Sequence, residues 1–129
     1  MPTYPEKQIK ITKFEDLEVW KRAARLSADI YKKMKSLRDL GFRDQLTRSG
    51  LSIPSNIAEG FERDSQKQAV TFFAYAKASC GELRTQIYIG MDIDYIDKDT
   101  GKHWIRETKE ISSMLVGLIK HRRTRIKKA

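Results

Sequence analysis

Residues 48–63 read RSGLSIPSNIAEGFER. Leu46, Gly50, Ile53, Ile57 and Phe61 recur three or four positions apart, the spacing of one face of an α-helix. Pro54 interrupts that face. Inside a helix its ring presses on the carbonyl four residues back and removes one hydrogen bond, at a cost of roughly 3 kcal/mol. The crowded carbonyl belongs to Gly50, with Ser49 and Ser52 close by, so side-chain bulk at the turn is minimal. Ser55 and Asn56 can offer side-chain bonds to backbone groups that a kink releases. Two local readings fit: a helix kinked at Pro54, or a helix that breaks and restarts with Asn56 as cap and Glu59 three residues on. In both, Pro54 redirects the apolar residues on either side of it.

Outward from this stretch the same periodicity recurs. Thr12-x-x-Glu15 has the form of a capping box. The segment after it carries Leu17, Trp20, Ala24, Tyr31 and Met34 on one side, and Gly41 is read as its C-terminal signal. The second helix is expected from about Arg43 to Arg63. A third opens at Ser65-x-x-Gln68 and bears Ala69, Phe72, Phe73, Ala76, Cys80, Leu83, Ile87 and Met91 along one face. A stripe of small residues, Ala74, Ala78 and Gly81, suits close approach of another helix. The fourth begins near Gly101 and bears Trp104, Ile111, Leu115, Leu118 and Ile119. No segment alternates with period two, and the short connections favour antiparallel neighbours. The expected fold is all-α: an antiparallel up-down four-helix bundle over residues 14–120, an N-terminal extension at 1–13 and a basic tail at 121–129.

The 129 residues fit one domain, and 33% of them are charged. The net charge of +9 is uneven. Residues 120–129 hold six Lys or Arg and no acid, leaving +3 for the other 119. Such a run is either a solvated tail or an arm for phosphate or anionic lipid. A lone cysteine, Cys80, excludes an intramolecular disulfide. The first residues lack the apolar core of a leader, and no uncharged run approaches a transmembrane span, so a cytoplasmic protein is expected.

Catalytic constellations are hard to assemble from these residues. His103 and His121 lie about five turns apart on one helix, too far to share a ligand. Asp92, Asp94, Asp97 and Asp99 invite a calcium reading, but glycine and a bidentate glutamate are misplaced for an EF-hand. P-loop and dinucleotide fingerprints are missing. Glu59 and Glu82 read either as an acid–base pair or as partners of Arg48 or Arg63. The expectation is therefore a protein that is not an enzyme and needs no cofactor or metal.

At FEDLEVWKRAARLSADIYKKM (14–34) and RDQLTRSGLSIPSNIAEGFERDSQKQAVTFFAYAKASCGELRTQI (43–87) the chain resembles the four-helix-bundle family of the 23S rRNA intervening-sequence proteins. Phe14, Leu17, Trp20, Ala24, Ile30 and Tyr31 carry the resemblance, followed by Gln45, Leu46, Arg48 and the run Ser52, Ile53, Pro54, Ser55, Asn56, Ile57, Ala58, Glu59, Gly60. It covers residues 14 to about 120, the fourth helix in pattern only, and departs from the family after Ile89. The resemblance implies a bundle that assembles into a ring-shaped homopentamer. The accessory variability determinant proteins of diversity-generating retroelements, basic pentamers that associate with a reverse transcriptase and its template RNA, use the same fold.

Eight basic residues fall between Lys21 and Arg43, against Asp29 and Asp39. Together with the tail they suggest phosphate contacts without base reading. The candidate contacts are Lys21, Arg22, Arg25, Lys32 and Lys33, then Arg122, Arg123, Arg125, Lys127 and Lys128. RNA is the expected ligand because of the resemblance, with duplex DNA as a second candidate. A reverse transcriptase is the protein partner the retroelement relatives imply, and no membrane contact is expected. The competing reading is a protein-interaction scaffold whose charge maintains solubility or steers an acidic partner.

Overall fold

The computed structural model describes residues 10–128, so most of the expected N-terminal extension lies outside the described residues. A 3-10 turn at Phe14–Asp16 leads into four helices: α1 (Glu18–Lys33), α2 (Leu40–Phe61), α3 (Gln66–Asp92) and α4 (Lys98–Lys128). No strand occurs among the described residues. Neighbours in sequence are neighbours in space, and α4 closes the bundle against α1. The cross-helix bonds run antiparallel. Ser49 and Ser52 on α2 meet Glu82 and Ser79 on α3, while Gln66 and Arg84 on α3 meet Arg122 and Thr108 on α4.

The apolar faces form one core, but along α1 the buried stripe lies beside the face read from periodicity: Leu17, Trp20 and Ala24 are half-buried, Tyr31 is exposed, and of that set only Met34 is buried. Val19, Ala23, Leu26 and Ile30 of α1 meet Leu46, Ile53 and Ile57 of α2, Phe73, Ala76, Cys80, Leu83 and Ile87 of α3, and Trp104, Ile111 and Leu115 of α4. Trp104 is the largest side chain wholly out of solvent. Its indole N–H would be costly to bury alone, and it donates to Asp29 Oδ2 of α1 at 2.7 Å.

The helix ends differ from expectation. Thr12 and Glu15 do not cap α1. Instead Leu17 N donates to Phe14 O (2.9 Å), and the Phe14 ring meets Trp20 edge-on at 5.2 Å. α1 stops at Lys33, well before Gly41, and Asp39 starts the next helix by accepting from Phe42 N (3.1 Å). Gly41 falls inside the first turn of that helix, after the Asp39 cap. Ser65 does cap α3, accepting from Gln68 N at 3.1 Å. The link before α4 is shorter than expected, since Asp97 accepts from Thr100 N (3.1 Å) and α4 begins at Lys98. Within it Asp94 takes φ +64° and Ile96 is buried. Tyr95 donates its hydroxyl to Asp39 Oδ2 at 2.9 Å, tying this turn to the start of α2.

α2 runs unbroken through Pro54, so the break-and-restart reading is set aside. Asn56 does not cap a new helix; its Nδ2 donates to the Ser52 carbonyl (2.8 Å) and hydroxyl (2.9 Å). A Cβ on Gly50 would lie 3.4 Å from Ile30 Cδ1 and 3.8 Å from Ser27 Cα. The small residue beneath the proline thus also admits α1. Residues 121–128, expected as a tail, continue α4 as helix. At 1.5 Å per residue α4 spans roughly 46 Å against roughly 24 Å for α1, so its last turns lie beyond the level of α1.

Candidate nucleic-acid interface

The basic residues divide by what surrounds them. Arg22 is committed within the fold: Nε and Nη2 donate to the two carboxylate oxygens of Glu107 (3.3 and 2.7 Å), and Nη2 also reaches Glu110 (2.6 Å). Such a bidentate clamp fixes the register of α1 against α4, and the two carboxylates push the Arg22 pKa upward. Arg122 is committed as well. Its guanidinium lies 5.7 and 5.5 Å from the rings of Phe61 and Phe73, and it donates to Gln66 Oε1 at 3.0 Å. Burial, then the nearby Arg125, pulls its pKa down. Both were singled out in the sequence because phosphate ligands and structural clamps draw on the same residue type, and spacing cannot separate the two uses.

The other candidates are exposed and make no ion pair among the described residues. Lys21, Arg25, Lys32 and Lys33 lie on α1, and Arg123, Arg125 and Lys127 on the last turns of α4. The side chain of Lys128 lies outside the described residues. Arg25, Lys32 and Lys33 line a 580 Å³ groove between α1 and α4, together with His103. The two carboxylates in that groove already have partners: Glu107 holds Arg22 and Asp29 holds the Trp104 indole. From the level of Glu107 to Arg123 is sixteen residues along α4, roughly 24 Å. That exceeds a physiological Debye length of about 8 Å. The two basic groups therefore act as separate sites, unless one extended polyanion reaches both.

The proline-centred motif packs helices. Ile53 and Pro54 are buried. Ser52 shares a 2.9 Å hydrogen bond with Ser79, and Gly60 lies under the Phe73 ring. Ser55 is exposed. Glu59 pairs with Arg63, just beyond the end of α2, and Glu82 accepts from the Ser49 hydroxyl. Glu59 thus has one of the two arginines expected as its partner, on an exposed pair, whereas Glu82 meets a serine and no arginine among the described residues. Cys80 is buried, and desolvation pushes its thiol up to about 12. Among the described residues no three His, Cys, Asp or Glu side chains gather where they could hold a metal ion, and no helix is long and apolar enough to cross a membrane.

These features define a basic four-helix-bundle protein whose uncompensated cations face outward. Its sequence places it more closely: the family model described as 23S rRNA-intervening sequence protein matches residues 15–117, and the chain belongs to that family. Among solved structures it is similar to a protein of unknown function from the S23 ribosomal protein family of Bacteroides thetaiotaomicron VPI-5482. The TM-score is 0.75 at 22% identity, covering 79% of this chain and 98% of that one. At that identity the likeness concerns the fold. No curated protein matches the chain.

Proposed function

We propose that the protein is a non-catalytic nucleic-acid-binding protein that engages the phosphate backbone of structured RNA. The observation that carries this reading is the last stretch of α4. From Ile111 to Lys128 the helix holds no carboxylate, and Arg123, Arg125 and Lys127 project from it without partners among the described residues. A helical scaffold holds these cations at fixed spacing, which a frayed tail would not. The α1 cations supply a second contact, and an RNA long enough to cover both would engage them together. Each neutralised phosphate releases condensed counterions, so affinity should fall steeply with salt.

Membership of the family supports RNA over DNA as the ligand. The finer expectations belong to the same proposal: assembly into a homopentamer, a bend in α2 at Pro54 that shapes the assembling surface, and association with a reverse transcriptase in a retroelement setting. A ring of five would present the cations of each copy in rotational repeat and multiply weak contacts into avidity.

The test is binding of the purified protein to a structured RNA and a length-matched duplex DNA across a salt series. A steep log–log slope with RNA preferred supports the reading. Weak binding with a nearly flat slope would overturn it and turn attention to protein partners.

A further inference from the structure

The outer face between α3 and α4 is shaped unlike the α1 surface: it shares Arg123 and Lys127 with the nucleic-acid reading, which leaves its apolar floor unused. A 630 Å³ groove lies there with a floor of Ala74, Val116 and Ile119 and a rim of Lys77, Lys120, Arg123 and Lys127. Val116 is 48% exposed. A Cβ added at Gly81 or at Gly117 would meet nothing within 4 Å. The small-residue stripe of Ala74, Ala78 and Gly81 is therefore open, where the sequence suggested close approach by another helix.

The carboxylates sit elsewhere. Glu82, the acid within the body of α3, accepts from Ser49 on the α2 flank, and Glu107 and Glu110 of α4 hold Arg22 on the α1 flank. Asp92 and Asp99 lie at the opposite end, beside the α3–α4 turn. None of the four rim cations has an ion-pair partner among the described residues.

We propose that this groove docks an acidic amphipathic helix of a partner protein. Phosphate backbone gains nothing from an apolar floor. A helix gains from all three features: small residues admit its backbone, the floor takes its apolar stripe, and the rim pairs with flanking carboxylates. From Val116 to Lys127 the groove side of α4 runs roughly 17 Å, which fits about three turns of partner helix.

The experiment uses the full chain and a synthetic helical peptide of about 20 residues, with leucine and alanine on one face and glutamate flanking them. A scrambled peptide of the same composition is the control. The double variant Ala74→Gln/Val116→Asn spoils the floor without altering charge. The peptide should bind, the scramble should bind at least about tenfold more weakly, and the variant should lose about tenfold or more. RNA binding and helical circular dichroism should be unchanged. No peptide binding at about 1 mM, or equal binding of peptide and scramble, would overturn the proposal. So would an equal loss of RNA affinity in the variant, which would make the groove part of the nucleic-acid site. Loss of self-association in the variant by sedimentation would instead assign the groove to a second copy. Because the variant spares every cation, failure here leaves the RNA salt series to be judged separately.

Discussion

At Gly60 an added Cβ would sit 2.8 Å from Phe73 Cε1 and 3.0 Å from the Ala69 carbonyl. Gly60→Ala should therefore destabilise by about 1–3 kcal/mol, since a buried ring and backbone must both move. Gly81→Ala should stabilise by about 0.5–1 kcal/mol, because an open helical glycine gains propensity at no steric cost. Urea denaturation midpoints of the pair check both signs. Asp39 offers a pH test. The amide of Phe42, then the Tyr95 hydroxyl, holds its carboxyl below the usual 3.8. A depressed folded-state pKa gives stability that is complete above 3.8 and disappears as pH falls through the folded value. Asp39→Asn should lower the thermal midpoint at neutral pH, and the gap should close in acid. A gap that persisted once both proteins were fully protonated would mean that the charge is not what Asp39 contributes.

The helices themselves were legible because burial imposes a period of three to four, and that period survives local exceptions such as Pro54. Their ends were not. Gly41 falls inside the helix that Asp39 caps, and a packed 3-10 turn replaced the Thr12 cap, because termini depend on a single hydrogen bond and on which rings sit nearby. The extent of α4 was hidden for a related reason: residues 121–128 look like a solvated run until Arg122 is seen against Phe61, Phe73 and Gln66. Arg122→Ala should cost about 1 kcal/mol from lost stacking and stem packing. Arg125→Ala, on the same turns but exposed, should leave stability within about 0.5 kcal/mol. Denaturant titration separates them. Pro54→Ala restores an N–H to the interior of α2, and the proline also lines an apolar groove with Trp20, Tyr31 and Leu51. The variant should fold yet change its state of association by light scattering. An unchanged oligomer would count against a role for the proline in assembly.

For the whole molecule, the cations divide into those that hold the bundle and those left for a ligand, a division invisible in sequence because it depends on which residues across the bundle face each one. Arg22→Ala should loosen α1 from α4 and lower stability. Lys21→Ala or Arg125→Ala should leave stability alone and lower the salt slope of RNA binding by about one unit each. If all three moved the slope alike, the clamp on Arg22 would not be restraining it. The placement of Cys80 has a practical consequence. It is the chain's one cysteine, sealed in the core with its thiol pushed up to about 12. Only the thiolate reacts, so modification must await an opening of the bundle. Its rate of capture by an alkylating reagent is then a built-in clock of that opening, readable by mass spectrometry on unmodified protein, with or without RNA bound.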